Sequence, residues 1–237
     1  MKRMLGLAMG LLVSFALQAA ERAPVSVERE IKRAISDLPI EAVYKSPIPG
    51  LYELIVGRTI YYADRSGRYL IAGGYIFDTR TKENLTQKRL EEINRIDFSK
   101  LPLDQAFVSG DPNGKLVLAI FTDPDCPFCR RLERELEKLH GVKIYNFLYP
   151  LERLHPNARR HAEAIWCAKD RNAAKRAIMI EGHDLSPPKG CHAPIEANLK
   201  LGSKLGISGT PTLIAGDGRM HAGFMPAERL RAWLQGR

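Results

Sequence analysis

Val27, Ile31, Ile35 and Leu38 fall on one helical face with charged residues between them, which predicts a short amphipathic helix. Pro39, Pro47 and Pro49-Gly50 then punctuate the chain, and the period changes to that of strands. Leu51–Val56 and Thr59–Tyr62 read as two strands, and the turn Asp64-Arg65-Ser66-Gly67 leads to Tyr69-Leu70-Ile71. Past Gly73-Gly74, Tyr75-Ile76-Phe77 reads as a further strand. Residues 21–82 therefore predict one helix on a small antiparallel sheet. A unit this small buries little surface, and an exposed last strand invites pairing with another chain, so it is expected to dimerise.

Residues 84–97 carry a narrow apolar stripe of Leu85, Leu90, Ile93 and Ile96 among charges, which suits a linker helix within a connector over 83–103. From residue 104 to the C-terminus the pattern is α/β. Ala106–Val108 and Lys115–Phe121 are strand-like; Leu132, Leu136 and Leu139 mark a helix from about Pro127 to His140; Val142–Leu148 is the next strand. Strand, helix and strand at these spacings make a βαβ unit. A mainly helical stretch runs to about Gly206, followed by the strand Thr212-Leu213-Ile214 and a last helix from Pro226. The fold class expected is a two-domain α+β and α/β chain.

The first twenty residues stand apart. Lys2 and Arg3 precede an uncharged apolar run from Leu5 to Leu17, and Ala19-Ala20 precedes Glu21, the layout of a secretory signal peptide. Thirteen apolar residues fall short of the ~20 that span a bilayer. The mature protein is thus expected to be exported, periplasmic and not membrane-embedded, in a compartment that permits disulfides. Loss of Lys2 and Arg3 with the leader lowers the formal charge from +9 to +7. The basic residues are scattered, and no nucleic-acid signature appears.

Four cysteines are too few for a disulfide-dense scaffold but enough for one redox pair and one structural bridge. Cys126-Pro127-Phe128-Cys129 sits where a buried strand hands over to a helix. Unpaired N–H groups and the helix dipole at such a terminus stabilise a thiolate. Cys126 is then the nucleophile, and Cys129, one turn later, can close a disulfide with it. The competing reading is a structural zinc site, but Cys167 and Cys191 are 24 positions apart rather than a close second pair. Far away in sequence, Gly209-Thr210-Pro211 precedes a strand, and beside a CxxC unit the proline is expected to be cis.

With these motifs in view, the segment from Lys115 onward resembles a thioredoxin fold. The whole mature chain resembles the exported disulfide isomerases DsbC and DsbG. Phe121-Thr122-Asp123, the CxxC, Ala164 through Asp170 with Cys167, Cys191 and Gly209-Thr210-Pro211 carry the likeness. It implies a homodimer joined through the N-terminal domains, acting on misfolded exported proteins with wrong disulfides. It also implies a membrane thiol reductase of the DsbD type that keeps the CxxC reduced, with no organic cofactor and no metal. Residue by residue, Cys126 resembles the attacking cysteine and Cys129 its resolving partner. Thr210 and Pro211 resemble the cis-proline loop that meets substrate, and Cys167 with Cys191 a structural disulfide. One departure is that Pro-Phe stands where DsbC-like proteins carry Gly-Tyr.

Asp123 and Asp125 oppose thiolate formation if unscreened, while Arg130 and Arg131 favour it. His155, His161, His183 and His192 are expected to be solvated surface histidines, and Trp166 to be core packing. The leading functional reading is a thiol–disulfide isomerase and reductase. A net dithiol oxidase and a holdase chaperone with secondary redox activity are the alternatives.

Overall fold

The computed structural model describes residues 20–236. The segment read as a signal peptide lies, but for Ala20, outside the described residues. Two compact units part between Tyr75 and Ile76.

The first unit opens with α1 (Val25–Ala34), whose Glu28 stands in the first turn and Lys32 and Arg33 in the last, matching the helix dipole. Val27 and Ile31 are buried against a four-stranded antiparallel sheet. Its strands are β1 (Ala42–Lys45), β2 (Leu51–Val56), β3 (Thr59–Asp64) and β4 (Leu70–Ile71), in that spatial order. Val43 faces Leu54 across the β1–β2 ladder, and both join Ala63, Val27 and Ile31 in one core. Gly67, in the turn before β4, has a positive φ of 70°. A side chain there would press against the Ala34 methyl at 2.9 Å, so the turn lies on the helix only because it is glycine.

The second unit begins with a two-residue hairpin, β5 (Phe77–Asp78) and β6 (Glu83–Asn84). The expected strand at Tyr75–Phe77 is thus mostly irregular, and Phe77 pairs locally instead of extending the first sheet. The linker helix α2 (Leu85–Ile93) starts at Asn84, whose side chain accepts from the Gln87 N–H. It stops three residues before the position that the apolar stripe suggested. Ile96 has left the helix to donate its N–H to Gly218 O at 2.9 Å. Gly218, with φ of 86°, admits that carbonyl-to-backbone approach because it has no Cβ.

Five strands form the main sheet: β7 (Phe107–Gly110), β8 (Leu116–Thr122), β9 (Val142–Leu148), β10 (Thr212–Ala215) and β11 (Met220–Ala222). Their spatial order is β11-β10-β8-β9-β7, with β8 and β9 parallel and every other pair antiparallel. The crossover from β8 to β9 is α3 (Pro127–Leu136), which completes the βαβ unit. Lys138 and Leu139 bond three residues back, so α3 ends in tight turns rather than continuing to His140. Between β9 and β10 come α4 (Ala158–Cys167), α5 (Arg171–Met179) and α6 (Ile195–Lys204), and α7 (Ala227–Leu234) closes the unit. Leu118, Ile120, Leu132, Leu213 and Leu230 pack on one face of the sheet, while Phe121, Phe147 and Ile214 pack in the neighbouring cluster. The Phe121 and Phe147 rings stack with centroids 4.8 Å apart. Among the described residues, no helix is long and apolar enough to cross a membrane.

The linker helix is fastened to the sheet by a buried carboxylate. Glu91 accepts from Trp233 Nε1 at 2.8 Å and faces His221 Nδ1 at 3.2 Å. Burial alone would raise its pKa, but the bonds from His221 and Trp233 outweigh it and hold the carboxyl below its usual range. A depressed carboxyl pKa contributes stability at neutral pH that is lost as pH falls through the folded value. Glu91→Gln should therefore destabilise the second unit by about 1–2 kcal/mol at neutral pH in urea denaturation. The gap to the parent protein should close below the carboxylate range; a gap that persists there would remove the charge from this account.

Candidate active site

Strand β8 ends at Thr122, and the chain turns through Asp123, Pro124 and Asp125 before Cys126 takes the N-cap of α3. Pro127 fills the first helical position, where a missing N–H is no loss. Cys126 and Cys129 are both buried free thiols, and Pro127 and Phe128 between them face outward. The Cys126 thiol donates to Thr210 O at 3.4 Å, and Thr210-Pro211 is a cis peptide at the entry to β10. Two motifs 84 positions apart in sequence thus meet at one sulfur. Antiparallel pairing of β10 with β8, Thr212 opposite Phe121, brings them together.

The two thiols are displaced in opposite directions. Cys126 is pulled down to about 5, first by the Cys129 thiol and then by the N–H groups of Cys129 and Phe128 and by Thr210, against an opposing contribution from burial. No capping hydrogen bond reaches the sulfur in its thiol form; these donors act on the thiolate. The Thr210 hydroxyl, buried and without another hydrogen-bond partner, is among them. Cys129 is pushed far up, chiefly by burial and then by its bond to Cys126 and the charge there. The Asp123 N–H faces it from the backbone, 3.5 Å from its sulfur. The two sulfurs share one easily lost proton, and Cys126 loses it.

Both flanking aspartates are compensated. Asp123, fully buried, accepts from the N–H groups of Asp125 and Leu151, each at 2.8 Å, and lies 2.8 Å from His155 Nδ1. Asp125 meets Arg130 Nη2 at 2.7 Å and His161 Nδ1 at 2.8 Å. His155 and His161 are therefore not surface histidines: His161 is 7% exposed, and both rings are turned onto acids in the loop before Cys126. The fold of 149–161 around the end of β9 converges them there, which no spacing in the chain announces. His183 and His192 are exposed. Trp166 is half-buried on the cluster that contains Cys126 and Cys129, with the Arg171 guanidinium 3.9 Å from its ring. Arg131 lies over the Phe224 ring rather than on an aspartate.

Cys167, the last residue of α4, is disulfide-bonded to Cys191 in the loop before α6, with Cα atoms 5.8 Å apart. These two sulfurs are spent on each other, so the four cysteines do not converge on one site.

Residues 103–236 match the model of the thioredoxin-like domain family, and residues 16–87 match the disulfide bond isomerase protein N-terminal domain. Fold, paired thiols and both matches define a thiol–disulfide oxidoreductase. The chain belongs to the DsbC family of thiol:disulfide interchange proteins. It is 36% identical to the probable thiol:disulfide interchange protein DsbC of Bordetella avium (strain 197N), over 88% of this chain and 74% of that one. It is 31% identical to the thiol:disulfide interchange protein DsbC of Dickeya dadantii (strain 3937), over 94% of this chain and 92% of the relative. A crystal structure of a disulfide interchange protein from Neisseria gonorrhoeae is similar at 40% identity and a TM-score of 0.52, covering 57% of this chain and 97% of that one.

The asymmetry of the thiols is directly measurable. Alkylation of the reduced protein by iodoacetamide should modify Cys126 with a midpoint at about pH 5 and leave Cys129 untouched. A lowered thiol pKa contributes stability above the ordinary thiol range that is lost as pH falls through about 5, so the reduced protein should weaken on acidification relative to Cys126→Ser. A Cys126 midpoint near that of a free thiol would refute the assignment of the nucleophile.

Proposed function

We propose that this protein is a periplasmic disulfide isomerase that reshuffles wrong disulfides in misfolded exported proteins through Cys126 and Cys129. The observation that carries the reading is the opposite displacement of the two thiols. The Cys126 thiolate attacks a client disulfide, one sulfur joins Cys126, and the other leaves as a client thiolate. The mixed disulfide then has two exits. A client thiolate attacking the client sulfur expels Cys126, a good leaving group because its thiolate is stable, and the client keeps a rearranged disulfide with no net redox change. Cys129 attacking the Cys126 sulfur expels a reduced client, but this exit needs a thiolate that burial disfavours. The asymmetry favours the first exit, which is isomerisation.

A stable Cys126 thiolate also stabilises the reduced pair, the resting state that an isomerase needs in an oxidising compartment. A membrane reductase of the DsbD type is the partner that would restore it after each reductive exit. The signal-like N-terminus supports periplasmic residence, as does the likeness to the DsbC proteins. Thr210 and Pro211 would hold the client strand beside Cys126. Pairing of two chains through the first unit is supported by its edge strand β4, whose Leu70 and Ile71 are exposed, as are Tyr69 before it and Tyr75 after it in the chain.

The reduced protein, given a client with scrambled disulfides and no other thiol, should produce native client. Failure there, with rapid disulfide formation in a reduced client by the oxidised protein, would replace this reading with a net oxidase. Cys129→Ser should accumulate mixed disulfides through Cys126 on non-reducing gels, and Cys126→Ser should lose both activities. A variant lacking residues 21–75 should sediment as a monomer that still reduces disulfides and isomerises poorly. A full-length protein that sediments as a monomer at micromolar concentration would end the dimer proposal.

A further inference from the structure

His161 lies outside the CxxC and the cis-proline loop, yet it is the buried centre of a chain of charge that runs from the surface to the residue before Cys126. Its Nδ1 is 2.8 Å from Asp125 Oδ1, and Asp125 immediately precedes Cys126. On the other side of the ring, Nε2 is 2.9 Å from Asp184 Oδ1. A hydrogen on Nδ1 serves Asp125, and a hydrogen on Nε2 would serve Asp184 while a lone pair there would accept from Arg160, so both carboxylates are met by the ring when both nitrogens carry hydrogen. Arg160 pairs with the same Asp184 oxygen, and its Nη2 lies 3.3 Å from Nε2, so Asp184 takes hydrogens from both. Arg130 completes the cluster, with Nη2 on Asp125 at 2.7 Å and Nε donating to Pro124 O at 2.8 Å. The groups facing His161 are therefore Asp125 from the nucleophile loop, Arg160 from its own helix and Asp184 from the loop after α5, with Arg130 of α3 behind Asp125.

We infer that His161 is a positioning residue for the thiol chemistry: it holds the Asp125 carboxylate away from Cys126 and offsets its charge, so that the thiolate next to it is not repelled. This rests on the oxidoreductase reading of Cys126, but not on the choice between isomerase and oxidase. An uncompensated carboxylate on the residue before a thiolate disfavours that thiolate, while a nearby cation favours it. Arg130 alone leaves the pair neutral; with His161 as imidazolium, the local balance at Asp125 turns positive. Asp184 is largely exposed and sits at the far end of the chain, where water screens it. Its carboxyl lies below the usual range because of His161 first and Arg160 second. It orients the His161 ring at little cost to the sulfur.

The test is the pH dependence of Cys126 alkylation by iodoacetamide in the reduced full-length protein, with the modified site identified by mass spectrometry. His161→Gln should raise the alkylation midpoint by about one pH unit, a fall of about five-fold in rate at pH 5. Asp125→Asn alone should lower the midpoint, and the double variant His161→Gln/Asp125→Asn should return it close to that of the parent. That rescue separates charge compensation from loop support, because a loop that loses both partners is looser still. An unchanged midpoint in His161→Gln, or a double variant displaced as far as the single one, overturns the inference. Should His161→Gln fail to fold, the near-isosteric Asp125→Asn decides alone: a midpoint that stays put overturns the inference, and a fall supports it. A parent protein whose Cys126 alkylates like a free thiol would fail the nucleophile assignment instead, and is recognised before any variant is compared.

Discussion

One proton shared by two sulfurs governs the site. Cys129 is buried where charge is costly, Cys126 is capped by the start of a helix, and the bond between them lets Cys126 keep the charge while Cys129 keeps the proton. Everything around the pair serves that division. Strand β8 delivers the loop, Pro127 starts α3 without wasting a donor, and the N–H groups of Phe128 and Cys129 reach the sulfur. The β10–β8 ladder supplies Thr210 from the opposite direction. If Cys129 were exposed, its thiolate would compete with that of Cys126, and the identity of the nucleophile would blur.

Burial of the pair creates a second constraint. Two aspartates lie within three residues of Cys126, in a part of the fold where unpaired charge is costly. The structure answers with one histidine for each, His155 on Asp123 and His161 on Asp125, and with Arg130 as well on Asp125. Asp123 also ties down the N–H groups of Asp125 and Leu151, so the acid that threatens the thiolate also fixes the loop that presents it. The β9–α4 connection that brings both histidines in is thus part of the site, although it carries no sulfur.

Legibility in the sequence followed the range of the interactions. The CxxC at a strand–helix junction, the βαβ period and the proline before a strand are local signals, and they singled out Cys126, Cys129, Thr210 and Pro211 as candidates. His155 and His161 departed from the surface expectation, which His183 and His192 met, because those two rings' surroundings are set by residues 23 to 36 positions away. The sign of the charge around Cys126 was open for the same reason. Helix ends failed where a long-range contact decided them: α2 stops because Ile96 bonds to Gly218, a partner more than a hundred residues distant. Local periodicity gave α3 but not its last turn, where three-residue bonds replace the α pattern.

The geometry limits what the Pro-Phe dipeptide can change, where the resemblance to DsbC-like proteins led to the expectation of Gly-Tyr. Both side chains are exposed, Phe128 by 59%. The groups that act on the thiolate at positions 128 and 129 are main-chain N–H groups, which any residue but proline supplies. Proline at 127 removes an N–H that has no helical partner at that position and fixes φ where the helix needs it. A glycine there would leave the first turn freer to fray and would weaken the cap by letting the donors wander. The dipeptide therefore works through the rigidity of the first turn rather than through side-chain contact, and the largest support of the thiolate is the hydrogen bond from the Cys129 side chain.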